Sequence, residues 1–121
     1  MSIYICDDVP ELRQLLRIVL EEDPDLHVVG EAGDARTGIE EIAELQPAVV
    51  VLDLSMPGMD GLEALPIIRR VAPDTRVVVF SGFTETRVGK LVLEQGADRY
   101  IEKGEPLDRV RDVVRELARS R

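Results

Sequence analysis

The sequence predicts an α/β fold in which helices cover both faces of a parallel sheet. Short apolar segments rich in valine and isoleucine alternate with segments whose apolar residues recur at helical spacing, five times along 121 residues. Residues 48–52 form an unbroken apolar run, which is typical of a strand buried on both faces of a parallel sheet. We therefore expect one doubly wound domain with five strands and five helices.

The first half of the chain predicts three strands and two helices. The strands cover residues 2–6, 26–29 and 48–52. Pro10 suits the first turn of a helix, where its missing N–H has no partner to lose, and the Asp-Pro-Asp segment at 23–25 ends that helix. The apolar residues expected to face the sheet are Leu12, Leu15, Leu16 and Val19 in the first helix, and Ile39, Ile42 and Ala43 in the second.

The second half predicts three helices and two strands, the strands at residues 76–80 and 98–101. Pro66 lies beyond the first turn of the third helix, so we expect that helix to be distorted or to start late. Thr84 is expected to cap the fourth helix, and Pro106 to open the fifth. The expected inward residues are Ala64, Ile67, Ile68 and Val71, then Val88, Leu91 and Val92, and finally Leu107, Val110, Val113, Val114 and Leu117.

Composition narrows the class of protein. The chain has one cysteine, which excludes an internal disulfide and fits a reducing compartment. Its net charge of −9 opposes direct binding to nucleic acid phosphates. We find neither a signal peptide nor an apolar run of the roughly 18 residues that a membrane span requires. The sequence therefore predicts a soluble cytoplasmic domain that contacts neither membrane nor DNA by itself.

Charged or polar residues follow four of the predicted strands. They are Asp7 and Asp8 after the first strand, Asp53 after the third, Ser81 after the fourth and Lys103 after the fifth. Parallel strands bring these ends to one edge of the sheet, where ligands of open α/β sheets bind. Carboxylates about 4 Å apart repel by several kcal/mol at an effective dielectric of about 20. A hard divalent cation with oxygen ligands would compensate them, and Mg²⁺ suits a site with few protein ligands.

Taken singly, each of these residues also has an ordinary structural explanation. Asp7 and Asp8 can cap the first helix, Ser81 before a glycine can be a turn residue, and Lys103 can be solvated. Tyr100 is expected to be half-buried at the sheet edge. The joint placement at strand ends is what favours a functional site.

The whole chain resembles the receiver domain of bacterial two-component response regulators. The resemblance is carried by Asp7-Asp8, by Asp53 with the Met-Pro-Gly-Met-Asp-Gly segment at 56–61, by Ser81-Gly82 and by the Tyr-Ile-Glu-Lys segment at 100–103. It implies a flavodoxin-like sheet in the order 2-1-3-4-5, with residues 1–121 as one receiver domain and no effector domain in this chain. Residues 23–32 further resemble the NarL/LuxR-type subgroup, whose receivers usually precede a helix-turn-helix DNA-binding domain.

The resemblance implies a role for each residue of the site. Asp53 would accept a phosphoryl group from a histidine kinase or phosphotransfer protein. Asp8 would bind Mg²⁺ (or Mn²⁺) directly and Asp7 partly through water, with Asp53 and the Ser55 backbone carbonyl completing the metal ligands. Lys103 and the hydroxyl of Ser81 would stabilise the transferred group. The domain would be a switch that catalyses its own phosphorylation and dephosphorylation, and no turnover enzyme.

The resemblance also implies a route for the signal. Ser81 would move toward the phosphoryl group and Tyr100 would turn inward, which would change the surface formed by the fourth helix, fifth strand and fifth helix. Leu93 lies about 140° from Val88 at helical periodicity, so we expect it to be exposed on that surface. An exposed leucine there suits a partner or a homodimer formed on phosphorylation, with transcription regulated through an effector domain.

Two departures from the family pattern and two alternatives remain. Gly104 and Glu105 precede Pro106, where many receivers place a proline directly after the site lysine, and Ser81 replaces the commoner threonine. One alternative is a receiver-like interaction module that takes no phosphate. The other is a phosphohydrolase of haloacid-dehalogenase type, which needs a second acid where this chain has Ser55.

Overall fold

The structure is a computed structural model that describes residues 1–120 of the 121. The strands are β1 (Ser2–Cys6), β2 (His27–Ala32), β3 (Val49–Leu52), β4 (Arg76–Ser81) and β5 (Arg99–Glu102). The helices are α1 (Pro10–Leu20), α2 (Ala35–Leu45), α3 (Gly61–Val71), α4 (Glu85–Glu94) and α5 (Leu107–Arg119). All strand pairs are parallel, in the order β2-β1-β3-β4-β5. The predicted doubly wound fold is confirmed.

Alternation of side chains along the strands divides the core into two layers. On one face, Tyr4, Val50 and Val79 belong to a cluster with residues of α2, α3 and α4. On the other face, Ile5 and Val51 belong to a cluster with residues of α1 and α5. All four residues of β3 are buried, as expected for the central strand. Because β3 is buried over its full length, the chain leaves the sheet at a fixed point, after Leu52, and enters the following loop there.

Strand β2 is longer than the sequence predicts. It continues past residue 29 through Gly30 to Ala32, and Gly30 pairs with Tyr4 of β1. A Cβ at Gly30 would lie 2.8 Å from the Tyr4 ring, so glycine is what allows this close packing. The extension matters because the backbone oxygen of Ala32 reaches the first residue after β1, where the site begins.

Three residues predicted to face the sheet point to solvent. Leu15 is 50% exposed and Leu91 is 42% exposed, and Ala43 is also exposed. The buried residues beside them are Leu16, Ile42 and Val92. Neighbouring positions of a helix are about 100° apart, so a helix on a sheet buries a stripe narrower than its full apolar surface. The apolar pattern alone therefore gave the correct helices but too wide an inner face.

Helix α3 starts at Gly61 and runs through Pro66 without a break, so the expected late start is wrong. The side chain of Asp60 accepts a hydrogen bond from the Glu63 N–H at 2.8 Å, which fixes the first turn. Pro66 is exposed, while Leu65 and Ile68 beside it are buried. Packing of this buried face holds the helix despite the hydrogen bond that proline removes.

The start of α4 also differs from the expectation. Thr84 occupies the predicted N-cap position, but its side chain accepts no backbone N–H of the first turn; it accepts only the Thr86 hydroxyl, at 3.4 Å. The Glu85 N–H donates instead to the Glu102 carboxylate of β5. The N-terminus of α4 is thus tied to β5 by tertiary contact, and Thr84 holds the predicted N-cap position without the side-chain hydrogen bond expected of a cap. Pro106 is the N-cap residue of α5, one residue before the first helical position.

No helix among the described residues is both long enough and apolar enough to span a membrane.

Replacing Pro66 by alanine should stabilise the domain by about 1 to 3 kcal/mol, because an N–H returns at an exposed position inside a formed helix. Urea unfolding followed by circular dichroism measures the change. Arg70→Ala, also exposed on α3, is the control and should change the free energy of unfolding by less than about 0.5 kcal/mol. Equal stability of Pro66→Ala and the wild type would show that α3 accommodates proline without strain.

Candidate functional site

The carboxyl edge of the sheet brings the predicted acidic residues and the lysine together. Oxygen atoms of Asp7, Asp8 and Asp53 all lie within 4.8 Å of one another. The Lys103 Nζ lies 2.9 Å from Asp7 Oδ2 and 3.4 Å from Asp53 Oδ2. Three carboxylates therefore meet one ammonium group, and the cluster carries an excess of negative charge.

Asp53 is held by the ends of two neighbouring strands and by the start of α3. Its backbone N–H donates to the Cys6 carbonyl at 2.9 Å, and its side chain is almost fully buried. The loop then returns so closely that a Cβ at Gly61 would lie 2.3 Å from the Asp53 carbonyl oxygen. Only glycine permits this approach, and the Gly61 N–H donates to the Leu54 carbonyl at 2.8 Å. The buried carboxylate is thus presented on a rigid turn.

Asp7 and Asp8 are adjacent in sequence but differ in environment. The Asp7 N–H donates to the Ala32 carbonyl at 3.0 Å, and its Oδ1 accepts from the Val9 N–H at 2.9 Å. With Lys103 on Oδ2, the buried Asp7 carboxylate is bonded at both oxygens. Asp8 is exposed to solvent. Asp7 is therefore a fixed part of the pocket wall, while Asp8 is open to a ligand.

The electrostatics of the pocket disfavour three free carboxylates. Burial raises the pKa of Asp53, and the negative charge of Asp7 raises it further, while Lys103 and a hydrogen bond from the Ser55 backbone act in the opposite direction. Burial opposes the charge on Lys103, but the hydrogen bond to Asp7 and the charges of Asp53 and Asp7 outweigh it and raise the pKa of Lys103. The charged form of Asp53 is therefore disfavoured by its surroundings, and positive charge placed beside it would favour that form.

A divalent cation fits this donor set. Clustered carboxylate oxygens are hard ligands of the kind that Mg²⁺ and Mn²⁺ take, and one of the three residues is solvent-exposed, which leaves room for retained water. Ser55 is exposed in the loop after Asp53. Its backbone carbonyl as a metal ligand stays a prediction.

Ser81 and Tyr100 meet the same loop. Ser81 is fully buried at the end of β4, and its Oγ accepts from the Phe83 N–H at 3.4 Å. Tyr100 is half-buried in β5, as expected, and its hydroxyl donates to the Phe83 carbonyl. The Lys103 N–H donates to the Ser81 carbonyl at 2.7 Å. Phe83 of the loop after β4 therefore contacts both Ser81 and Tyr100, and Ser81 is in turn bonded to Lys103.

The chain turns directly after Lys103. Gly104 has a φ of 112°, a left-handed conformation that glycine adopts without strain. A Cβ built there meets nothing within 4 Å, so only the backbone angle selects glycine. The departure from the family pattern at this point therefore places a glycine turn between Lys103 and α5.

Sequence reasoning missed Arg13 and Glu31. Arg13 Nη1 donates to the Asp7 backbone carbonyl at 2.6 Å, and its Nε donates to Glu31 Oε1 at 3.0 Å. One residue lies in α1 and the other in β2, and no spacing along the chain indicates that they pair beside the site.

Comparisons with known proteins agree with this geometry. The family model of the response regulator receiver domain matches residues 3–115. The chain is 41% identical over 108 residues to the nitrate/nitrite response regulator protein NarL of Escherichia coli strain K12, covering 88% of this chain and 50% of that protein. It is 36% identical over 105 residues to a protein-glutamate methylesterase/protein-glutamine glutaminase of Thermotoga maritima, covering 85% of this chain and 30% of that protein. The signal receiver domain of the putative response regulator NarL from Mycobacterium tuberculosis superposes with a TM-score of 0.91 at 31% identity, covering 99% of this chain and 97% of that chain.

A parallel sheet with clustered acids and one lysine at its carboxyl edge defines a class of signalling domain. The chain belongs to the response regulator receiver domain family of two-component systems. Its similarity to NarL-type regulators confirms the subgroup resemblance. The chain spans about half the length of NarL and under a third of the methylesterase, and these two relatives differ in the function that their names give.

Asp53→Asn should raise the free energy of unfolding at neutral pH without divalent cations, because it removes a buried charge that Asp7 repels. Folding raises the Asp53 pKa, so between its unfolded and folded pKa the folded state binds more protons, and wild-type stability falls as pH rises through that interval. The advantage of the variant should therefore shrink on acidification, and also when Mg²⁺ is added. Urea unfolding at several pH values measures it. An asparagine variant less stable than the wild type at neutral pH would show that the Lys103 contact outweighs burial.

Proposed function

We propose that the domain accepts a phosphoryl group on the Asp53 carboxylate from a histidine kinase or a phosphotransfer protein. One observation carries the proposal. The buried Asp53 carboxylate lies 3.4 Å from the Lys103 ammonium and within 4.8 Å of oxygens on Asp7 and Asp8. Phosphoryl transfer depends mainly on positioning and on neutralising charge at the phosphoryl oxygens. This pocket offers a nucleophile, a cation and acids for a metal ion in one place.

Each residue of the site has a part in the proposed transfer. An Asp53 oxygen forms the new bond to phosphorus while the bond to the donor nitrogen breaks. Asp8, Asp7, Asp53 and the Ser55 carbonyl would hold Mg²⁺ or Mn²⁺. The metal ion would supply positive charge to the phosphoryl oxygens. Lys103 adds a second positive charge.

Ser81 and Tyr100 would convert the new charge into a change of shape. The acyl phosphate places about two negative charges where one carboxylate stood. Ser81 would donate its hydroxyl to the phosphoryl group. Its Oγ now accepts from the Phe83 N–H, so this movement would shift the loop that also holds the Tyr100 hydroxyl. Tyr100 would then turn inward, and the surface of α4, β5 and α5 would change.

The changed surface would pass the signal to a partner or to a second copy. Leu93 of α4 is 49% exposed, so its predicted exposure is confirmed. We propose that residues 1–121 act as one receiver unit, that phosphorylation favours a homodimer through this face, and that the output is transcription through an effector domain. The NarL similarity supports that output, and any contact with DNA would be made by the effector.

A phosphohydrolase of haloacid-dehalogenase type is disfavoured at one residue. Such an enzyme needs a second carboxylic acid two residues after the nucleophile, and this chain has Ser55 there. We therefore propose a switch that phosphorylates and dephosphorylates itself rather than an enzyme that turns over a substrate.

Incubation with acetyl phosphate or phosphoramidate and Mg²⁺ should add one phosphoryl group, about 80 Da, to the intact mass. Omitting Mg²⁺ or replacing Asp53 by asparagine should abolish the adduct, since the metal ion and the nucleophile are both required. A beryllofluoride titration follows in case the adduct hydrolyses quickly. Absence of both the adduct and beryllofluoride binding would favour the interaction module that takes no phosphate.

Leu93→Ala should weaken a phosphorylation-induced dimer at least about five-fold, because an exposed leucine on the proposed interface loses its contacts. Sedimentation equilibrium with and without beryllofluoride measures the dimerisation constant. Leu15→Ala is the matched control, since Leu15 of α1 is exposed to a similar extent, at 50% against 49%. A dimerisation constant unchanged by Leu93→Ala, or changed equally by Leu15→Ala, contradicts the α4 interface.

A further inference from the structure

The peptide that joins Asp7 to Asp8 is held by a side chain from α1. Its carbonyl oxygen, that of Asp7, accepts a hydrogen bond from Arg13 Nη1 at 2.6 Å. We propose that Arg13 is a positioning residue for the metal site, which sets the relative direction of the Asp7 and Asp8 carboxylates through this bond. The inference rests on the proposed function, because it concerns the metal ion that the acids would bind.

Arg13 is itself fixed by the neighbouring strand. Its Nε donates to Glu31 Oε1 at 3.0 Å, and Arg17 Nη2 donates to the other oxygen, Glu31 Oε2, at 3.1 Å. A Cβ at Gly33 would lie 3.1 Å from Arg13 Nη1, so glycine leaves the space that the guanidinium occupies beside the Asp7 carbonyl. The side chain of Arg13 is only 17% exposed. An anchored arginine, rather than a mobile surface one, therefore contacts the peptide.

The hydrogen bond to the Asp7 carbonyl affects the direction of the Asp8 side chain in particular. Its orientation is set by the ψ angle of Asp7 and the φ angle of Asp8, so a hydrogen bond to it restrains both. The Asp7 carboxylate has its own partners, the Val9 N–H and Lys103. Asp8 is exposed, and its direction depends more strongly on the backbone. Loss of the Arg13 bond should therefore disturb Asp8 first, the residue proposed to bind the metal ion directly.

The positive charge of Arg13 should lower the affinity of the site for a metal ion, whereas its positioning of the Asp7–Asp8 peptide should raise that affinity. A guanidinium near a cation site repels the cation. If Arg13 acted only through its charge, the wild-type domain would therefore bind the metal ion less tightly than the Arg13→Ala variant. Glu31 compensates part of this charge at 3.0 Å. Positioning and charge thus predict opposite signs for the change in metal affinity when Arg13 is replaced.

The test is calorimetric titration of the unphosphorylated domain with MgCl₂, for the wild type, Arg13→Ala, Arg13→Lys and Arg17→Ala. Arg17 is the matched control, because it pairs with the same Glu31 but donates to the Val28 carbonyl instead of to Asp7.

Arg13→Ala should raise the dissociation constant about ten-fold, as is typical when the support of a metal ligand is lost. Arg17→Ala should change it less than two-fold, roughly the scatter expected of a residue that does not touch the metal ligands. Arg13→Lys should recover part of the loss, since an ammonium can donate to one of the two acceptors. Circular dichroism confirms that each variant is folded.

A kinetic readout separates positioning from general damage. With acetyl phosphate, Arg13→Ala should require more Mg²⁺ for half-maximal phosphorylation, yet reach about the wild-type rate at saturating Mg²⁺, because Asp53 and Lys103 are untouched. The inference is overturned if the Mg²⁺ dissociation constant of Arg13→Ala is equal to or lower than that of the wild type or of Arg17→Ala. A wild-type domain that binds no divalent cation overturns both the metal site and the role of Arg13. Mg²⁺ binding that depends on Arg13, without phosphorylation of Asp53, overturns only the proposed function.

Discussion

The structure depends on how one ammonium group is shared among buried carboxylates. Lys103 contacts Asp7 at 2.9 Å and Asp53 at 3.4 Å, and this single cation faces three acids. Burial and the charge of Asp7 disfavour the charged form of Asp53, and Lys103 offsets this effect only in part. The same excess of negative charge that costs stability would favour the divalent cation that we propose for this site, a common relation between function and folding.

The sheet order determines which residues can share that charge. Asp53 follows the central strand β3, Asp7 follows its neighbour β1, and Lys103 lies beyond β4 on the other side. Lys103 must therefore extend along the edge of the sheet past the end of β4, and its backbone N–H bonds the Ser81 carbonyl there. Lys103 thus contacts the Asp53 carboxylate through its ammonium group and the end of β4 through its backbone N–H. This connection is the physical basis for proposing Ser81 and Tyr100 as the switch.

The support of the site comes from elements that do not carry its chemistry. Gly61 lets α3 start against the Asp53 carbonyl, and Gly33 leaves space for Arg13 beside the Asp7 carbonyl. Both contacts fix backbone atoms next to an acid rather than the acid itself. The proposed role of Arg13 extends this arrangement to the metal site, where small changes in the direction of a ligand alter affinity.

The sequence by itself determined the order of the elements, the parallel sheet and the five residues at its carboxyl edge, because apolar runs that end in a charged or polar residue are visible in the residue pattern. It did not determine how wide a face each helix buries, so Leu15 and Leu91 were expected inside and are exposed. It also missed how Pro66 and Thr84 are accommodated. Packing of the buried face of α3 outweighs the hydrogen bond that Pro66 removes, and the hydrogen bond from the Glu85 N–H to the Glu102 carboxylate takes the place of a Thr84 side-chain cap. The contact of Arg13 with the Asp7 carbonyl was decided only by the tertiary structure. A hydrogen bond from a side chain to a backbone oxygen leaves no residue-type signature, because every residue has that oxygen.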